Sequence, residues 1–567
     1  MNTDSHLEFP TLNHQEIFSY TTFIQEQFVF FQFNLTRKTS QPDITILYND
    51  LIHILKFIKK YIHKYKDNDF QRQDLLLHLN LFFKLIPYTR DISQGKGERN
   101  LSYMLILAFY EVFPALSTFA LHYIIKPNDS LSQCGSWKDI KRFCQFVKEF
   151  SHKGTNHSLI EFCVELTVNQ LITDVENWTF FYDTSYISNV AAWIPREHKS
   201  CGWLFKIIAL SWANRIHPNI INSPKCSLSR SKAHSKCKRL FRKQISYMNT
   251  ILNTAEISFS NKNIQNLNSK HIKLGTSNKH FDLLIQNYKI NDLQNSRLSK
   301  HNILTNSSHD FAFIIKNTLL LLENPLLYNS YHHATKTNEI NSIWSSLINK
   351  FYSKSFLFTI PVIDVSLFMQ LNNTDAFYNA IGVAICIAIH SDIPARIIAM
   401  GNKPVWIQFN KQDSIIDIIQ HFFFSIATIQ NNTIDYCNTI DLIIKGIHNS
   451  FSTSRFTDQL NIVFLSDFYT NIHDIDIQSL FIINQFFTSP YVFYWNFSTN
   501  NILYINTPVN NQKIRFSSGY SIHMLHDLNQ IITLQQNSFF STYQAASLAL
   551  HKKYNSFDYY LSSISSS

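Results

Sequence analysis

Apolar residues recur at helical spacing through the first 200 residues. Leu51, Ile54, Leu55, Ile58 and Ile62 make one stripe, and the segments LLLHLNLFFKLI and the stretch after Leu101 repeat it. Almost no strand signal intervenes. The pattern predicts an array of packed helices, repeat-like in character but without a fixed sequence period. The most apolar early stretch, Met104 to Ile125, is interrupted by Glu111, Pro114 and His122, so a buried helix is expected there rather than a membrane span.

Beyond about residue 355 the texture changes. SFLFTIPVIDVS is a continuous apolar run with β-branched residues, followed by a buried-helix pattern in AFYNAIGVAICIAIH. ARIIAMG and PVWIQF then read as strands, SIIDIIQHFFFSIAT and TIDLIIKGIHNS as helices, NIVFLSD as a strand, IQSLFIINQFF as a helix and YVFYWNF as a strand. Buried strands alternating with helices predict a mainly parallel sheet covered on both faces. Ligands of such sheets bind at the carboxyl ends of the strands, where Asp364, Ser366, Ser466 and Asp467 fall. The expected fold class is therefore multidomain, an all-α module followed by a Rossmann-like α/β domain. The expected divisions are residues 1–350 for the helical module, with a basic, loop-rich insertion around 220–280, then 355–535 for the α/β domain and 536–567 for a C-terminal segment packing back on the chain.

Composition narrows the class. Only ten of 567 residues are glycine and 45% are apolar, which excludes glycine-rich low complexity and supplies enough apolar surface for large cores. The eight cysteines show no CxxC pair, so free thiols in a reducing, cytoplasmic setting are expected, and Cys226, His234 and Cys237 lack a fourth zinc ligand. The polar N-terminal stretch has neither the basic nor the apolar region of a secretory signal. No membrane partner is expected.

Charge is the most uneven feature. Residues 1–197 carry a net charge of −2, residues 198–309 carry +15, and the remainder carries −3. The densest part holds Lys225, Arg230, Lys232, Lys236, Lys238, Arg239, Arg242 and Lys243, and no carboxylate side chain occurs between His198 and Ala255. Such a block concentrates positive potential and suits contact with phosphates. The serines and asparagines around it read as loop. Few aromatics lie near it in sequence, Phe241 and Tyr247 being the nearest, so backbone contact is better supported than base stacking.

Two other polar segments stand out. Arg90, Asp91, Gly95, Lys96, Gly97, Glu98 and Arg99 lie between two apolar helices, and GKGER lacks the spacing of a phosphate loop. A tight interhelical turn fixed by ion pairs is one reading; for Arg90, Lys96 and Arg99, contact with nucleic acid is the other. Gly135, Trp137, Lys138 and Asp139 form a second turn of the same kind. At the strand ends Asp364 and Asp467 could hold a cation, assist phosphoryl transfer or cap helices, and a general base and phosphate loop for the enzymatic option are missing.

RDISQGKGERNLSY, CGSWKDI, AAWIPRE (with Trp193 and Pro195) and LFRKQISYMNTIL, in that order and spacing, resemble an uncharacterised family of plant and viral proteins related to the Ro autoantigen. The resemblance covers roughly residues 80 to 560. It implies a TROVE-type helical module that binds RNA, joined to a von Willebrand factor type A domain that contacts protein and carries a metal-ion-dependent adhesion site. Asp364 and Ser366 match the first loop of that site, Thr433 the second and Asp467 the third. Phe368 stands where the second serine belongs and Leu367 where a glycine is usual, so weak magnesium binding at most is expected. The function implied is a non-enzymatic RNA-binding scaffold in the cytoplasm, the host's if the chain is viral; the alternatives are a protein-binding adaptor without nucleic acid and a metal-dependent phosphotransfer enzyme.

Overall fold

The computed structural model describes residues 16–38, 40–66, 68–125, 134–222, 227–254, 311–323, 330–349, 356–427, 434–450, 459–468, 489–499, 502–503, 511–535, 540–551 and 553–565. They fall into two compact units, one drawn from Met1–Ser117 and Ser308–Ser567, the other from Thr118–Ser307. The sequence pattern places its boundary near residue 350. In the structure the first four helices belong with the sheet, because the contacts that join them are long-range and leave no local signature.

Helices α1 (Glu16–Asn34), α2 (Gln41–Lys64), α3 (Asp69–Arg90) and α4 (Arg99–Val112) open the first unit. On α2 the buried stripe runs Ile44, Leu47, Leu51, Ile54, Leu55, Ile58 and Tyr61, with Tyr61 inside where the sequence pattern puts Ile62. Each such side chain contributes about 1.5–3 kcal/mol relative to leaving it exposed. The start of α3 is fixed by Asn68, whose side chain accepts from the Gln71 N–H at 3.2 Å. The apolar run from Met104 to Ile125 is two helices, not one: Pro114 begins a new helix, Pro114–Ile125, since its ring cannot continue α4 but suits a first turn.

The sheet has six strands: β1 (Thr359–Asp364), β2 (Arg396–Met400), β3 (Val405–Gln408), β4 (Asn461–Ser466), β5 (Tyr491–Asn496) and β6 (Ile514–Ser518). Their spatial order is β3-β2-β1-β4-β5-β6. All pairs are parallel except β2 with β3, an antiparallel edge hairpin. Every residue of β1, β4 and β5 is buried, as a sheet covered on both faces requires. Five of these strands are legible in the sequence. The missed one, β6, reads IRFSS, and its Arg515 is buried with its guanidinium bonded to the carbonyls of Gln512 and Phe540 at 2.8 and 2.6 Å. The expected helix IQSLFIINQFF lies outside the described residues.

The order reverses between β1 and β4, which both start from the middle of the sheet and wind outward. Phenylalanine supplies much of the packing around this sheet. The Phe33 ring of α1 lies 5.0 Å from Phe516 of β6 and 5.9 Å from Phe468 after β4, and Tyr494 of β5 lies 5.6 Å from Phe516.

The second unit is helical throughout its described residues, with helices Lys138–Phe150, Ser158–Phe181, Val190–Trp193, Gly202–Ile216, Pro218–Asn222 and Ser227–Ile251. Among all described residues no helix is long and apolar enough to cross a membrane.

Candidate functional site

The segment Arg90 to Arg99 is built as a lock. Gly95 sits where a Cβ would lie 2.1 Å from the Tyr88 carbonyl, and Gly97 takes a φ of +73°. These two allow the chain to fold back, so that the N–H groups of Lys96, Gly97 and Glu98 bond to the carbonyls of Tyr88, Asp91 and Thr89 at 2.9, 2.9 and 2.7 Å. Asp91 accepts from the Ser93 and Gln94 N–H groups with one oxygen and from the Tyr554 hydroxyl with the other. Lys96 is buried and donates to the carbonyls of Gln32 and Leu35 at the end of α1, and to the Ser518 hydroxyl at the end of β6. Burial lowers its ammonium to about 7, against the pull of the Glu98 and Asp527 carboxylates. Arg90 is buried too, and Glu98 pairs with Arg37 at 3.2 Å. Of the three basic residues here, only Arg99 faces solvent. The segment's chemistry is spent inside the molecule.

At the point where the strand order reverses, Asp364 and Ser366 lie at the carboxyl end of β1 and Asp467 just past that of the neighbouring β4. Asp364 is fully buried. Its carboxylate accepts from the Ser366 N–H at 2.8 Å and from the Ser466 hydroxyl at 2.6 Å. Burial raises its pKa, while those two bonds work in the opposite direction. The Ser366 hydroxyl is occupied as a helix cap, accepting from the Met369 N–H at 3.3 Å. Thr433 lies outside the described residues. A magnesium ion wants near-octahedral oxygen ligands; the Asp364 carboxylate and the Ser366 hydroxyl are engaged with their own chain, and Phe368 stands in place of a hydroxyl. Among the described residues no three His, Cys, Asp or Glu side chains gather closely enough to hold a metal ion. The two first-loop donors, Asp364 and Ser366, are thus poorly placed for a cation, and exposed Leu367 and Leu371 make the nearby surface apolar.

In the second unit, Asp139 caps its turn by accepting from the Ser136 N–H at 2.8 Å, while Gly135 packs where a Cβ would meet Ile124. Trp137 and Pro195 are buried, and the Lys138 ammonium lies 5.2 Å from the centre of the Trp193 ring. These residues of the second and third motif segments shape the unit.

The basic block differs from its expected form. From Ser227 to Ile251 it is one continuous helix, not a loop. Lysine and arginine are good helix formers, and Cys237, Phe241 and Met248 recur at helical spacing and are buried; Phe241 packs against Phe205 and Trp212, with ring centroids 5.4 Å apart in each case. Cys237 is thus a core residue, and Cys226, its supposed zinc partner, lies outside the described residues. Opposite that buried stripe lie Lys232, Lys236, Arg239 and Lys243, spaced by four, three and four residues, with Tyr247 four further on. At 3.6 residues per turn these five positions share one face about 22 Å long. They and Arg230 are exposed, and none of the five cations takes an ion pair among the described residues. Lys225 lies outside those residues.

Lys238 and Arg242 are used differently. Both pair with Glu197 of the AAWIPRE segment, Lys238 at 3.2 Å. Burial of Glu197 works to raise its pKa, but the bond and charge of Lys238, with Arg242 beside it, hold its carboxyl below the usual range. The pairing closes one side of a cleft of about 530 Å³ lined by Pro195, Arg196, His198, Lys199, Arg242 and Asn249, among others. Sequence reasoning finds both walls separately, as a motif and as a charge run, but not that they face each other. It also misses exposed Phe181, Tyr182 and Tyr186 at the end of the Ser158–Phe181 helix, which no charge or motif marks.

The sequence matches no protein-family model and no curated protein.

Proposed function

We propose that this chain is a non-enzymatic RNA-binding scaffold, with its helical second unit holding RNA and its α/β sheet contacting protein. The observation that carries the reading is the exposed cation stripe of Lys232, Lys236, Arg239 and Lys243 on a helix whose flanking sequence, from His198 to Ala255, has no carboxylate side chain. Four regularly spaced cations without an ion pair among the described residues form an electrostatic footprint for a polyanion. Lys238 and Arg242 fix the helix to Glu197 and leave the stripe facing outward. A role in RNA binding also accords with the resemblance to Ro-related proteins.

The protein-contact half rests on the strand ends. A doubly wound sheet whose first strand ends in Asp364-Val365-Ser366, and whose β4 is followed by Asp467, supports the type A reading. Exposed Leu367 and Leu371 beside it suit a protein partner better than a hydrated cation. The test is ultraviolet crosslinking in cells, followed by purification and mapping of the crosslinked peptides. RNA-bearing peptides from residues 227–251 are expected. Recovery of protein partners with no RNA above background would replace this reading by that of an adaptor.

A further inference from the structure

We propose that the basic helix and the aromatic edge beside it form one surface for single-stranded nucleic acid, with phosphates along the helix and unpaired bases against the rings. The inference rests on the RNA reading above and deepens it by naming the kind of strand.

Five large aromatic side chains lie open to solvent among the described residues of this unit: Phe180, Phe181, Tyr182, Tyr186 and Tyr247, at 79%, 57%, 74%, 55% and 52% exposure. The first four cluster at the end of the Ser158–Phe181 helix. Phe181, Tyr182 and Tyr186 are held rather than loose. Tyr182 takes a left-handed φ of 50° as the helix cap, with its N–H on the Trp178 carbonyl at 3.1 Å. Asn177 donates to the Tyr186 carbonyl at 3.0 Å, and the next short turn is capped by Asp183, which accepts from the Ser185 N–H and hydroxyl at 2.9 and 2.6 Å. The Phe181 and Tyr186 rings stack with centroids 4.7 Å apart.

This edge is joined to the cation stripe. Trp178 donates its indole N–H to the Tyr247 hydroxyl at 3.0 Å, and its ring lies 5.7 Å from that of Tyr182. Tyr247 is itself the last member of the stripe that begins at Lys232. A polyanion lying on Lys236, Arg239 and Lys243 therefore arrives at exposed rings at the helix's far end. Of the carboxylates on the edge, Asp183 is engaged by Ser185 and Glu176 is exposed.

Exposed rings next to phosphate-binding cations serve a strand whose base faces are free, because in a duplex those faces are stacked on one another. Fixed rings add to the case: they keep their stacking geometry without an ordering cost on binding.

Fluorescence anisotropy with the full chain tests the inference. The probes are a labelled oligouridine of about twelve nucleotides, within the site sizes of single-strand binders, its abasic counterpart, and an RNA duplex of the same length. The variants are Phe181→Ala, Tyr182→Ala and Tyr186→Ala, each at an exposed position, with folding checked by circular dichroism. The base-bearing single strand is expected to bind about tenfold or more tighter than the abasic strand, and each substitution to cost about five- to tenfold in its affinity. Equal binding of base-bearing and abasic strands, with unchanged affinity in the three variants, would overturn the inference while leaving the RNA reading in place. Binding of none of the probes would end both. Displacement of the RNA by polyglutamate at equal charge concentration would assign the surface to an acidic protein instead.

Discussion

Lys96 takes a charge into the interior and uses it to tie three distant backbone and side-chain groups together: the Gln32 and Leu35 carbonyls and the Ser518 hydroxyl. Burial holds its ammonium near 7, well below the value of 10.5 for a free lysine. Between those two values the unfolded chain carries one more proton than the folded one, so this group makes stability rise with pH from about 7 to 10. The slope is at most about 1.4 kcal/mol per pH unit. The Lys96→Met variant lacks that increment, and the melting temperatures of the two proteins, followed from pH 7 to pH 10, are expected to diverge. Parallel melting curves would show that Lys96 keeps an ordinary pKa. Gly95→Ala places a Cβ against the Tyr88 carbonyl and is expected to cost several kcal/mol, whereas Gly154→Ala, at φ +51° with open space around it, should cost about 1 kcal/mol. Urea unfolding compares them. The glycines and alternating charges of GKGER mark a tight turn in the sequence, but which groups Lys96 reaches was not legible, because Ser518 lies more than four hundred residues away. Asp364 is a similar case. Its place at a strand end follows from the apolar run before it, while its commitment to Ser366 and Ser466 follows only from the folded sheet.

The basic helix shows how a segment's charge can be read while its shape is missed. Its charge was evident from composition; its helicity was masked by serines and a dense cation run, although Cys237, Phe241 and Met248 carried the 3.6-residue period. Forming the helix sorts the cations into two groups that the linear sequence mixes: Lys238 and Arg242 turned toward Glu197, and Lys232, Lys236, Arg239 and Lys243 turned to solvent. Substitutions should separate them. Glu197→Gln is expected to lower thermal stability while leaving RNA affinity within about twofold, since exposed ion pairs contribute about 0–1 kcal/mol; a tenfold loss of affinity would mean that the paired cations also hold RNA. At β6 the converse holds, because buried Arg515 and two serines gave a strand the polarity of a loop.

For the molecule as a whole, the net charge of +10 is the sum of a strongly basic middle and two slightly acidic flanks, and the sheet-bearing unit draws on both flanks. That division explains why the sequence shows the α and α/β textures clearly yet places their boundary elsewhere: periodicity reports an element's buried face, not the partner that buries it. At the sheet's strand ends, isothermal titration with magnesium is expected to give no saturable binding, with Asp364→Ala unchanged from the wild type; saturable binding lost in the variant would restore the metal site. The central claim, that the exposed stripe of the Ser227–Ile251 helix holds RNA through its phosphates, is tested most directly by the salt dependence of single-stranded RNA affinity in the wild-type chain and in a Lys236→Glu, Arg239→Glu, Lys243→Glu variant. Four phosphate contacts predict a log–log slope of about −3 for the wild type, and losing three of them a slope shallower by about 2 with affinity at least tenfold lower at low salt. Equal affinities and slopes for the two proteins would contradict the account.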